Sequence, residues 1–184
     1  MLPHRARHTE ELRKGRASLV GAWYFVTWCT ARRLPLLADD RTQAIARQAV
    51  TSLEASSDCV VLAGTIMPDH IHLLLELGTR LTLSQVVGKT KAAITRTSQN
   101  VQWQENFFEH RLRSTKSAED CAFYIFMNPY TACVCRLEQA WPGWIPPHSG
   151  LWKFAENLRD GGLPQPEWIQ IAEELGKTMT PGSE

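Results

Sequence analysis

A chain of 184 residues, 43% hydrophobic and 21% charged, has ordinary globular composition and enough length for one core, and its net charge of +1 names no partner. The basic start (Arg5, Arg7, Arg13, Lys14, Arg16) is followed by no long apolar run, which excludes a secretory signal and a membrane span and leaves a cytoplasmic location as the expectation. Five cysteines, at 29, 59, 121, 133 and 135, are odd in number and form no pair of Cys-x-x-Cys knuckles, which argues against a disulfide framework and a structural zinc site.

Charge is unevenly spread. Residues 1 to 120 carry 16 Lys/Arg against 12 Asp/Glu, and residues 121 to 184 carry 4 against 7, a local excess that gives weak support for a polyanionic partner. In chain order, Trp23 to Thr30 is aromatic and β-branched and reads as a strand. Residues 40 to 55 read as a helix capped by Asp39 or Asp40, with Ile45, Ala49 and Leu53 on one side. Cys59 to Ile66 is a second strand, and Met67-Pro68-Asp69 turns it into a third as an antiparallel hairpin. Residues 82 to 98 form an amphipathic helix with Leu83, Val86, Val87 and Ile94 inward; Lys89, Lys91 and Arg96 lie on it and, with Arg111 and Arg113 following, are the candidate contacts to a polyanionic backbone such as DNA.

Trp103 to Arg113 sets aromatics beside arginines in a short strand or pair of strands, a mixture that suits stacking on bases and equally suits an edge strand packing Phe107 or Phe108 inward. Ser117-Ala118-Glu119-Asp120 reads as a capping box, opening a helix that runs to about Met127 and ends before Pro129, with Tyr124 in its last turn and Asn128 at or just past its end. Residues 1 to 140 are expected to form one domain. Residues 141 to 184, with a Pro/Gly/Trp loop and a short helix near 166 to 175, are expected to be an appendage packing on it, ending in a disordered tail from Thr180.

The third strand holds the most specific pattern. His70, His72, Leu74 and Glu76 share one face while Ile71, Leu73, Leu75 and Leu77 share the other. Two imidazoles about 7 Å apart at their Cα atoms can share one divalent ion if a further ligand comes from elsewhere, or can simply be hydrogen-bonded strand residues. Glu76 as third ligand would make a zinc hydrolase, but it lies two pleats from His72. Among three tyrosines, Tyr124 alone lies on a helix after the basic, aromatic segment. A phenol is a poor nucleophile unless charge on its target is neutralised, which a metal beside a phosphodiester does. Two strand histidines, a helical tyrosine and a basic surface therefore point to a metal-dependent nucleic-acid nickase.

At these residues the chain resembles the tyrosine transposases of the HUH endonuclease superfamily, and within it those associated with repetitive extragenic palindromes (REPs). The blocks that carry the resemblance are Gly21-Ala22-Trp23-Tyr24-Phe25-Val26-Thr27, Met67-Pro68-Asp69-His70-Ile71-His72-Leu73, Phe107-Phe108-Glu109-His110-Arg111 and Tyr124-Ile125-Phe126-Met127-Asn128-Pro129. The resemblance implies an α+β fold, a central antiparallel sheet flanked by helices in a ferredoxin-like arrangement. It implies His70 and His72 as ligands of Mg²⁺ or Mn²⁺, Tyr124 as nucleophile, and Asn128 where related insertion-sequence enzymes place a glutamine ligand. The implied partner is single-stranded DNA with a REP-like hairpin, the implied chemistry a covalent 5′-phosphotyrosine, and the implied setting the bacterial nucleoid, as monomer or homodimer. After Asn-Pro, relatives carry a basic residue and Gly-Leu-Val, whereas this chain has Tyr130-Thr131-Ala132-Cys133-Val134-Cys135. The competing expectation is a hairpin DNA or RNA binding module that does not cut.

Overall fold

The computed structural model describes residues 18–147 and 150–179, so the basic N-terminal segment and the tail from Thr180 lie outside the described residues. Its first six strands and α-helices run β1 (Trp23–Cys29), α1 (Asp40–Ala55), β2 (Cys59–Ile66), β3 (His70–Leu77), α2 (Leu83–Thr97) and β4 (Phe108–Arg111). Then follow α3 (Thr115–Thr131), β5 (Trp144–Ile145) and α4 (Trp168–Met179). The sheet order is β4-β1-β3-β2-β5 with antiparallel neighbours throughout. Without β5, this is the split βαβ pairing of a ferredoxin-like sheet, as the α+β expectation required.

Helix starts follow local chemistry. Asp39 Oδ1 accepts from the Thr42 amide at 2.9 Å to open α1, and Thr82 forms a reciprocal capping box with Gln85 to open α2. The buried stripe of α1 is Thr42, Gln43, Ala46, Ala49, Val50 and Leu53, which leaves Ile45 at its rim. Both α1 and α2 cover one face of the sheet, against Tyr24, Val26 and Trp28 of β1 and Ile71, Leu73, Leu75 and Leu77 of β3.

The opposite face is also buried, under α3 and α4, with Phe25, Leu74 and Tyr124 in a core rich in aromatic rings. Here α3 departs from the sequence expectation at both ends. Ser114, not Ser117, caps it, accepting from the Ser117 amide at 3.2 Å, and the helix continues through Pro129 to Thr131. Proline breaks a helix by removing one amide donor and crowding the preceding turn. So close to the C-terminus the loss is confined to one bond, and the Pro129 carbonyl still accepts from the amides of Val134 and Cys135. The consequence is that Asn128 lies inside the helix, one turn after Tyr124 and on its side.

The C-terminal tryptophan-rich stretch is built into both sheet and core. Trp144–Ile145 pairs with Gly64 and Thr65 of β2, and Gly143 permits this approach because a Cβ there would collide with the Ile66 carbonyl and the Trp141 indole. A register shift between Val61 and Ala63 turns Leu62 and Ala63 both toward the second core, and the Trp152 indole N–H satisfies the Leu62 carbonyl at 2.9 Å. Among the described residues all five cysteines are free thiols, with Cys29, Cys59 and Cys121 buried, and no helix is long and apolar enough to cross a membrane.

Candidate active site

The site lies on the α3/α4 face at one end of β1 and β3. Register sets it: Thr27 of β1 and Thr65 of β2 flank His72 of β3 across the sheet, while His70 stands opposite Cys29. The Thr27 hydroxyl lies 2.7 Å from His72 Nδ1, Phe25 stacks on the His72 ring with centroids 5.4 Å apart, and His72 is 6% exposed. Burial, with His70 and Arg33 nearby, pushes its pKa well below the usual histidine value, so His72 is neutral at physiological pH.

His70 is fixed from its other side. Asp69 Oδ1 lies 2.6 Å from His70 Nδ1, and the His70 and Asp69 pairing holds that carboxyl below the usual range. A carboxylate only accepts, so His70 Nδ1 donates to Asp69, which turns Nε2 toward His72. The two Nε2 atoms are 3.0 Å apart. That spacing suits two ligands in adjacent coordination positions at metal–nitrogen distances of about 2.1 Å, and the outer contacts to Asp69 and Thr27 are those that orient metal-binding imidazoles. Among the described residues no group of three His, Cys, Asp and Glu side chains could hold a metal, so a further ligand would have to be an amide, a water or the substrate. Glu76 is not available, because its Oε2 accepts from the Trp23 indole N–H at 2.9 Å, toward the far end of β3.

Tyr124 and Asn128 face the histidines from α3. The Tyr124 ring lies 5.5 Å from His72 and 6.1 Å from Phe25 between centroids, and its hydroxyl hydrogen-bonds the Asn128 side chain. Burial raises the phenol pKa above its ordinary value of about 10, while the Asn128 bond works the other way. An Asn128 amide nitrogen turned to the phenol leaves its Oδ1 as an acceptor. Gly176 of α4 passes close to the phenol ring.

His70, His72, Tyr124 and Asn128 all line one cavity of about 590 Å³, large enough for a nucleotide-sized ligand. Its walls also include Thr27, Cys29, Arg33, Gln104, Asn106, Phe107, Phe108, Ala132 and Met179. The basic residues singled out from sequence are not brought together there. Lys89 is ion-paired to the buried carboxylate of Asp58, and Arg96 lies beside Ile45, Gln48 and Ser52 in a separate depression between α1 and α2. Lys91 comes nearer, its Nζ donating 2.8 Å to the carbonyl of Gln104, a residue of the cavity wall. Arg111 pairs with Tyr24 and so shares the α1/α2 face, and Arg113 follows it, exposed.

Arg33 is the cation that sequence reading missed. It follows β1 in a tight turn in which Arg32 and Arg33 have φ of 56° and 57°, a left-handed conformation costing each about 1–2 kcal/mol. The Thr30 hydroxyl, near the Leu34 carbonyl at 2.6 Å and the Asp69 carbonyl at 3.0 Å, holds the turn against the β2–β3 connection. Nothing periodic marks such a residue; the double arginine immediately after a strand is the available sequence signal.

Comparison with known proteins agrees with this picture. The family model described as "Transposase IS200 like" matches residues 18–122, more than half of the chain, ending two residues before Tyr124. Among solved structures, a REP-associated tyrosine transposase bound to a REP hairpin is 24% identical with a TM-score of 0.60, over 78% of this chain and 82% of that one. A Deinococcus radiodurans protein solved as a candidate transposase is 22% identical with a TM-score of 0.41, over 58% of this chain and 90% of that one. No curated protein gives a match. With the family model covering both histidines and four of the five strands, the chain belongs to the IS200-like transposase family.

Proposed function

We propose that this transposase is of the REP-associated kind, nicking and rejoining single-stranded DNA beside a hairpin through a covalent bond to Tyr124. The observation that carries the reading is the convergence of the Tyr124 phenol and the two imidazole Nε2 atoms on one cavity. Resemblance in fold to a transposase bound to a REP hairpin supports this choice of substrate class.

In this reading the Tyr124 oxygen attacks the scissile phosphorus, the phosphorus–oxygen bond to the 3′ carbon breaks, and the strand departs with a free 3′ hydroxyl. Because burial keeps the phenol protonated at neutral pH, its proton passes to solvent as the new bond forms, and solvent returns a proton to the departing 3′ oxygen. Asn128 orients the phenol, Phe25 and Thr27 fix the His72 ring, and Asp69 fixes His70. A divalent ion, Mn²⁺ or Mg²⁺, would be held by His70 and His72, with Asn128 Oδ1 as a further donor, and would supply charge neutralisation at the phosphate. The phosphotyrosine retains the energy of the broken diester, so a later 3′ hydroxyl can reverse the step and join strands without a nucleotide triphosphate.

The test is a denaturing gel after incubation with Mn²⁺ and single-stranded hairpin DNA. The parent is expected to give a covalent adduct and a nick, and Tyr124→Phe neither, while binding the DNA with affinity within about threefold of the parent. An adduct surviving in Tyr124→Phe but lost in Tyr24→Phe or Tyr130→Phe would assign the wrong tyrosine; tight binding by the parent without any adduct would make the protein a hairpin-binding module.

A further inference from the structure

We propose that Arg33 is the substrate-phosphate clamp of the site: its guanidinium leaves Asp69 and takes the non-bridging oxygens of a backbone phosphate in the cavity of His70, His72 and Tyr124. The substrate class rests on the function proposed above. The role of Arg33 rests on four observations of its own.

Arg33 lines the cavity and is the sole Lys or Arg among the described residues that do. Its charge is felt by Cys29, Asp69, His72 and Tyr124, which places it among the groups that would surround a bound phosphate. Phosphoryl transfer gathers negative charge on the non-bridging oxygens, and of the described side chains lining the cavity Arg33 alone carries a fixed positive charge to add to that of a divalent ion. A guanidinium suits that task, since its planar fork matches two phosphate oxygens at once.

The ion pair it makes in this structure is loose. Arg33 Nη1 lies 3.3 Å from Asp69 Oδ2, with the arginine side chain 53% exposed, whereas the other Asp69 oxygen is 2.6 Å from His70 Nδ1. Asp69 therefore keeps its hold on His70 when Arg33 swings away. The backbone argues the same way. Two successive non-glycine residues in the left-handed region are retained by the bonds of Thr30, and what that turn achieves is to bring residue 33 back over Asp69 and the cavity instead of letting it run off the strand.

The test uses the full chain carrying Tyr124→Phe, so that binding is read without turnover. Fluorescence anisotropy is measured on a series of hairpin DNAs whose unpaired flank carries one neutral methylphosphonate linkage at a time. One or two linkages should weaken binding about fivefold to tenfold in this background. In Arg33→Ala those linkages should cost nothing further, the other linkages behaving as before, and Arg33→Lys should fall between. Independent, multiplying effects at every linkage would overturn the clamp. So would an Arg33→Ala variant that loses the Mn²⁺-dependent rise in Tm, as Asp69→Asn should, while its DNA affinity is unchanged, because Arg33 would then act on His70 through Asp69. If Arg33→Ala does not fold, Arg33→Lys carries the test, since it keeps the charge and lacks the fork. A parent that binds and never cuts removes the nickase reading but leaves this coupling measurable; a parent that cuts without the coupling removes the clamp alone.

Discussion

The two faces of the central sheet are made by the same strands and do opposite work. Toward α1 and α2, β3 presents Ile71, Leu73, Leu75 and Leu77, all buried among apolar partners. Toward α3 and α4 the alternate residues are His70, His72 and Leu74, and the covering residues include Tyr124 and Asn128. Both faces are covered, so burial alone does not separate them; the polar groups do. Within one face an apolar residue is held by area removed from water, within the other an imidazole is held by Thr27, Asp69 and a stacked Phe25.

The largest expected contrast comes from exchanging one residue on each face. His70→Gln or His72→Gln should lower adduct formation by more than about 10³-fold, the loss of several kcal/mol of charge stabilisation, while Tm falls by only a few degrees. Leu75→Ala, fully buried on the other face, should cost about 2–5 kcal/mol of stability, read as a Tm drop of about 5–20 °C, with cleavage retained well below the melting temperature. Melting curves and denaturing gels on the same preparations decide it. If His72→Gln melts as early as Leu75→Ala and still cuts, the histidine face is structural.

A metal titration sharpens the same contrast from the ligand side. An ion that binds the folded state alone raises stability by about 2.7 kcal/mol at a hundredfold excess over its Kd. That Mn²⁺-dependent rise should be present in the parent and in Leu75→Ala and absent in His70→Gln. Because imidazole nitrogen suits Mn²⁺ better than Mg²⁺, half-maximal cleavage should need less Mn²⁺. Undiminished cutting in excess chelator would remove the metal from the mechanism.

How far the sequence reached follows from what each face is made of. Alternation reports a strand and its two sides directly, so β1, β2, β3 and the pairing of β2 with β3 were legible, as were α1 and α2 from their apolar stripes. His70 and His72 stood out because imidazoles interrupt that alternation. Tyr124 stood out as the one tyrosine on a helix after the basic, aromatic segment, and Asn128 came through the family resemblance; their meeting depends on α3 continuing past Met127, which the presence of Pro129 argued against and its nearness to the helix end permits. Thr27, Phe25 and Asp69 were invisible as site residues, since what makes them so is register across the sheet and a turn. Arg33 required a left-handed turn that carries no periodic signal. The strand of Trp144–Ile145 was too short, and its partner too distant in sequence, for a local pattern to show.

The smallest expected effect concerns Lys89, which composition placed with the DNA-contacting cations and the structure places in an ion pair. Its Nζ bonds Asp58 Oδ2 and lies 2.9 Å from the Ser56 hydroxyl, and the Asp58 side chain is 2% exposed while that of Lys89 is 45% exposed. The hydrogen bond from Lys89, then that from Ser56, lower the Asp58 pKa in the folded protein. A lowered carboxylate pKa contributes stability that is present above its unfolded value, near 4, and is lost as pH falls through the folded one. Lys89→Ala should therefore cost about 1 kcal/mol at pH 7, screened by the exposure of the lysine, and the difference from the parent should close as Asp58 becomes protonated in acid. Hairpin-DNA affinity measured against salt gives the complementary reading. Each phosphate contact removed lowers the slope of log K on log salt by about 1, so Lys89→Ala should leave the slope unchanged, whereas Lys91→Ala, next to the Gln104 wall, should reduce it. A shallower slope in Lys89→Ala with unchanged acid stability would put DNA on the α1/α2 face and dissolve the division of labour between the two sides of the sheet.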